Sequence, residues 1–160
     1  MNAHEAIKFS IGSASHIVDS LLADLSDADL LHRPAPGCNH INWQVGHCIA
    51  AEHATVSKAL PGVMPPLPAG FADKYTGETA KLDGAKSFCT KAELLRVYGE
   101  QRAATLAALE KSTAADLDKP CTGWTPNLGA MFTGMASLHW LMHVGQWTVV
   151  RRELGRAPLF

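Results

Sequence analysis

The chain has 160 residues, enough for one domain over 1–160 that buries a core without disulfide help, and its 47% hydrophobic and 18% charged content excludes wholesale disorder or a fibrous repeat. Lys and Arg number 14 against 15 Asp and Glu, a net charge of −1. A phosphate-tracking surface needs clustered basic side chains, so no nucleic-acid partner is expected.

Ile7, Ile11, Ala14, Val18, Leu21 and Leu25 recur at spacings of four and three, which predicts a first helix with one apolar stripe. Ser26 is placed to cap a short turn over 27–31, and Pro34, Pro36 and Gly37 then break the chain. A second helix is predicted from Trp43 to about Leu60, capped by Asn39 or Asn42 and stopped by Pro61-Gly62. Its broad inner face carries Trp43, Gly46, His47, Ala50, Ala51 and Ala54. Residues 61–90 hold four prolines and four glycines without a sustained period, and read as a long crossover able to cover a site.

Thr90-Lys91-Ala92-Glu93 fits a capping box that opens a third helix running to about Lys111. A second broken connection spans 116–126, and a fourth helix follows to about Leu154, with Arg151 and Arg152 in its last turn, then Gly155 and Pro158. The two short stretches Asp27-Ala28-Asp29-Leu30 and Ala114-Ala115-Asp116-Leu117 resemble each other loosely, each ahead of a break and a histidine-bearing helix. The expected fold is all-α, with four helices and no strand.

The four cysteines, Cys38, Cys48, Cys89 and Cys121, form no C-x-x-C pair and read as reduced thiols. The N-terminal Met-Asn-Ala-His-Glu lacks the basic start and apolar run of a signal peptide, so a cytoplasmic location is expected. No membrane span is predicted either: the most apolar region, 130–150, is interrupted by His139, His143 and Gln146.

His139 and His143 lie four apart, so their rings leave one face of the fourth helix close enough to share a cation. Leu138, Trp140, Leu141, Met142, Val144 and Trp147 surround them, which predicts a helix buried nearly all round. A buried imidazole without a partner costs roughly 1–3 kcal/mol, so the pair needs either a metal or other side chains. His47, on the predicted inner face of the second helix, supplies a third ligand. Three neutral imidazoles with an empty position describe a catalytic type of site for a divalent transition metal. Gln146 is a candidate to orient His143. His4, His16, His32 and His53 are expected at exposed positions and His40 at a capping or surface one. Tyr75 and Tyr98 are available as proton donors, although a core or lid role suits each better, and no general base is evident. Arg151 and Arg152 suit either an anionic substrate or the dipole at a helix end.

The pattern Asn39-His40-Ile41-Asn42-Trp43-Gln44-Val45-Gly46-His47, followed by His139-Trp140-Leu141-Met142-His143-Val144-Gly145-Gln146, resembles the DinB-like (DinB/YfiT) metal-binding four-helix bundles over the whole chain. The resemblance implies an up-down-down-up bundle with a long crossover between helices 2 and 3. It also implies a three-histidine site for zinc, nickel or a similar ion, and frequently a homodimer. Characterised members include mycothiol-dependent maleylpyruvate isomerase and bacillithiol transferases, so a small-molecule substrate and a low-molecular-weight thiol are implied partners. Two rival readings stand beside a metal-dependent enzyme, a thiol-dependent transferase or isomerase or a hydrolase with water at the open position: a non-catalytic metal-binding or stress-response protein, and an interaction bundle whose histidines are satisfied core groups.

Overall fold

In the computed structural model, which describes residues 1–121 and 123–160, the first apolar stripe forms α1, Ala3–Leu22, opened by a capping box between Asn2 and Glu5. Ile7, Ile11, Ala14, Val18 and Leu21 are all buried. Leu25, expected on the same stripe, is buried in the turn beyond the helix end. The short α2, Asp27–Leu30, is capped by Ser26, whose hydroxyl accepts from the Asp29 amide while the Asp29 carboxylate accepts from the Ser26 amide. Its counterpart α5, Ala114–Leu117, described with its neighbours below, repeats the device with Thr113 and Asp116. The loose likeness of the two stretches is thus shared capping chemistry, each box tucking one leucine, Leu30 or Leu117, into the core.

The second long helix, α3, is Ile41–Ala59. Neither Asn39 nor Asn42 caps it. His40 does, its Nδ1 accepting from the Trp43 amide at 3.0 Å, because an imidazole nitrogen two bonds from Cβ reaches the first-turn amides as an asparagine oxygen does. Asn42 instead donates to the Cys89 carbonyl at 2.8 Å, tying the end of the crossover to α3. Trp43 and Gly46 are buried and Ala50 and Ala51 half-buried, but Ala54 is exposed, so the inner face is shorter than its alanines suggested.

The crossover contains three single 3-10 turns, Ala72–Tyr75, Thr79–Lys81 and Ala85–Ser87. It is packed rather than loose. Phe71, Tyr75 and Phe88 are buried in the core, and the Trp43 indole donates to the Thr76 carbonyl at 3.1 Å. The Arg33 guanidinium donates to the carbonyls of Ala80 and Leu82 at 2.7 and 2.8 Å.

The capping box of Thr90 and Glu93 opens α4, Lys91–Lys111. After α5, Asn127 caps α6, Leu128–Thr133, which runs through a π-helical stretch, Gly134–Leu138, into α7, His139–Glu153. Thr122, within the predicted connection, lies outside the described residues. Gly155, at φ 71°, takes the left-handed conformation that ends α7. The long segments α1, α3, α4 and α6–α7 pack on one another: α1 touches α4, α6 and α7, and α3 touches α4 and α7. The chain is all-helical, with no strand among the described residues. No helix among them is long and apolar enough to cross a membrane.

Candidate metal centre

Two helices bring the three predicted histidines together. His47 comes from α3 and His139 and His143 from α7, with ring centroids 5.2 Å apart for His47 and His139, 5.4 Å for His47 and His143 and 5.0 Å for His139 and His143. One nitrogen of each lies within 4.8 Å of one nitrogen of the others. Nitrogens on a tetrahedral ion are about 3.4 Å apart, a difference that small ring rotations close.

Each ring is held differently. His47 stacks on Trp43 one turn earlier, with centroids 4.8 Å apart and planes 7° from parallel. The Trp43 indole is anchored in turn to Thr76 and Thr79 of the crossover, which explains why a tryptophan stands four residues before His47. Gly46 makes room for this packing: a Cβ there would fall 2.3 Å from the Tyr75 ring.

His143 is oriented by Gln44, on α3, whose Oε1 lies 3.1 Å from the His143 Nδ1 and 3.1 Å from the Trp147 indole nitrogen. The Gln44 amide nitrogen donates to the Asn39 carbonyl at 2.7 Å, and an indole N–H can only donate, so the glutamine oxygen must face both rings. His143 therefore carries its proton on Nδ1 and presents the lone pair of Nε2. Gln146, the residue expected in this role, is exposed. It lies three positions on along the same helix and points off the packed face, whereas Gln44 faces α7 from the neighbouring helix.

Burial lowers the pKa of all three rings. His139 and His143 are pushed down to about 4, by desolvation first and then by the neighbouring imidazoles. Burial also lowers His47, opposed by the Tyr75 main chain beside it. All three are neutral at pH 7, as metal ligands must be. The buried Nδ1 of His139 has no hydrogen-bond partner among the described residues. A donor set of neutral imidazoles with one unsatisfied buried nitrogen fits a divalent transition metal.

The remaining candidates lie elsewhere. His53 is half-buried and bonded to Gln101 at 2.9 Å, His32 pairs with Glu153, His4 is half-buried and His16 is exposed. The Tyr75 hydroxyl accepts from the Cys89 amide at 2.9 Å, and burial raises its pKa far above the range of a proton donor at neutral pH. Tyr98 packs on Trp140 in the core. Arg151 is buried, paired with Asp24 and donating to the Leu21 carbonyl at 2.8 Å, so it is committed to the fold. All four cysteines are free.

Two features were not legible as site elements. The first is a buried polar group in the core: the Glu52 carboxylate accepts from Arg102 at 3.0 Å, Thr105 at 2.8 Å and the Trp140 indole at 2.8 Å, while Arg102 also donates to the Ala136 carbonyl within the π stretch. The second is the outer flank of α7. Leu138 and Met142 are 57% and 61% exposed, so this helix is not buried all round. They rim a cleft at the imidazoles.

The fold is all-helical, and its long helices bring three neutral imidazoles together beside an open cleft, a group that could hold a metal ion. The sequence over residues 13–146 matches the model of the DinB superfamily, and the chain belongs to that family. No curated protein matches. A crystal structure described as the conserved protein of a locus from Enterococcus faecalis is similar in fold. Its TM-score is 0.70 at 19% identity, covering 98% of this chain and 99% of that one.

Proposed function

We propose that His47, His139 and His143 hold one divalent transition metal, zinc or nickel, and that the protein is a metal-dependent enzyme of the thiol-transferase or isomerase type. The observation that carries this reading is the convergence of three neutral ring nitrogens within 4.8 Å beside a solvent-connected cleft. Three protein ligands leave a coordination position for a substrate, as catalytic sites do and closed structural sites do not. A divalent ion there lowers the pKa of a bound thiol or water towards neutrality. The chain's own part is orientation: Gln44 fixes the tautomer of His143, the Trp43 stack fixes the plane of His47, and the cleft admits a small molecule while the crossover covers the start of α3. Among the described residues no carboxylate lines the cleft, which favours an externally supplied thiol over a protein base as the source of the nucleophile.

The same lack of an acid or base supports the second reading, a non-catalytic metal-binding or stress-response protein. The experiment is a screen of the metal-loaded protein with low-molecular-weight thiols and electrophiles, beside absorption spectra of a cobalt-substituted sample. Enzyme function requires thiol-dependent turnover and a spectrum that changes when thiol is added. A spectrum indifferent to thiol, with no turnover, supports the second reading.

The rest of the reading is a single domain over 1–160, an up-down-down-up ordering of the long helices, a homodimer and a cytoplasmic location. Exposed Phe9 and Phe160, 71% and 74% accessible on one side of α1, support the homodimer. Four free thiols suit a reducing compartment.

A further inference from the structure

We propose that the cleft at the imidazoles selects ligands carrying an uncharged, apolar group, aryl or branched alkyl, next to a metal-seeking head such as a thiol. This rests on the metal reading above and names the substrate class of that same site.

The cleft is open to solvent and offers about 530 Å³, within the range of roughly 300–1,000 Å³ typical of small-molecule sites. Its walls are Ala51, Trp124, Met135, Leu138 and Met142, and its polar groups are the imidazoles of His47 and His139. No lysine, arginine, aspartate or glutamate among the described residues lines it. A charged group standing off the head would meet apolar side chains and no cationic one among the described residues, the proposed ion being taken up by the head itself. An apolar group would cover surface that is otherwise left to water, since Trp124 is 70%, Met142 61% and Leu138 57% exposed. Methionine and tryptophan also adapt to flat rings better than branched aliphatics do.

The wall is built into the helix that carries the ligands. Trp124 lies across Gly134, where a Cβ would fall 2.6 Å from its ring, and Gly134 starts the π stretch that leads directly into His139. One backbone segment thus seats the apolar wall and delivers one of the imidazoles. The two donor nitrogens at the cleft floor place any occupant's head at the proposed ion, which distinguishes this cleft from an apolar patch elsewhere on the surface.

The test compares phenylmethanethiol with 3-sulfanylpropane-1-sulfonate, a charged thiol whose anion is a poor zinc chelator, on the zinc-loaded full chain, by calorimetry and by tryptophan fluorescence. Trp124 is exposed at the cleft whereas Trp43 stacks on His47, so the part of the quench that Trp124→Ala abolishes is the part that reports the cleft. The expected result is a preference of at least about tenfold for the uncharged thiol, the size expected from burying a phenyl group. Trp124→Ala and Met142→Ser, both at exposed positions that leave the core intact, should reduce that preference to near unity with zinc content unchanged. Equal affinities with zinc retained overturn this inference and spare the metal reading. Loss of zinc from the wild-type chain overturns the metal reading itself. If the two variants convert a dimer to a monomer in sedimentation and the apolar thiol has no advantage, the cleft belongs to an interface between copies and the inference fails.

Discussion

The Gln44 side-chain oxygen stands 3.1 Å from Nδ1 of His143, bridging α3 to α7 and fixing which nitrogen of that ring faces the other two imidazoles. Partners of this kind contribute about 10–100-fold to metal affinity. Gln44→Met keeps the volume but removes the acceptor, and should weaken zinc binding by about that factor in a competition titration. The same substitution leaves the Trp147 N–H without its partner, so a modest loss of stability should accompany it. Unchanged zinc affinity would deny the orienting role.

Gly46 admits the Tyr75 ring where any side chain would collide with it. Gly46→Ala forces the crossover away from α3 or bends the helix, and should destabilise the protein by about 1–3 kcal/mol in urea titration. Because Tyr75 and the residues just after it also support Trp43 and His47, metal affinity should fall with stability. A neutral effect on both would mean that the crossover is not wedged against α3.

Glu52 is 1% exposed and serves three donors, one of them the indole of the residue that follows His139. Removing one partner of a buried ion pair leaves the other charge uncompensated, so Glu52→Ala should cost about 3–5 kcal/mol. Double substitution of Glu52 and Arg102 by apolar residues should recover much of that loss. Thermal unfolding of the single and double variants checks both statements, and equal losses in the two would contradict them.

The pH dependence of the metal-free protein follows from the buried imidazoles. His139 and His143 hold folded-state pKa values of about 4 against an ordinary value of 6.5. Between those limits the unfolded chain binds more protons than the folded one, so stability rises with pH across that window. Acidification from neutrality should therefore destabilise the metal-free protein as pH falls below about 6.5, with the loss complete near pH 4. Replacing both residues by glutamine should flatten the profile in denaturant titrations, and an unaltered profile would show that these rings do not carry it.

Much of this architecture was readable because it follows local rules. Spacings of three and four gave the buried stripe of α1, and the boxes at Ser26 and Thr90 are capping chemistry written in four adjacent residues. His139 and His143 share a face by helical geometry alone. What escaped depends on contacts between distant segments. Gln44 reaches His143 only once α3 and α7 are packed, whereas the capping role open to His40 in the sequence is the one it takes. The π stretch at Gly134–Leu138 has no local sequence signature: it sits where Trp124 lies on Gly134 and Arg102 donates to Ala136. Arg102 and Glu52 occupy positions that charged residues usually leave to water, so pattern reading gives no warning of a buried pair.

The most direct measurement is elemental analysis of protein purified without a metal-affinity step, on the wild type and on His47→Ala, His139→Ala and His143→Ala. The account predicts close to one zinc or nickel ion per wild-type chain, and little in each variant under conditions where it stays folded. A wild-type chain that takes up no ion on reconstitution, or variants that retain as much as it does, would contradict the three-imidazole centre.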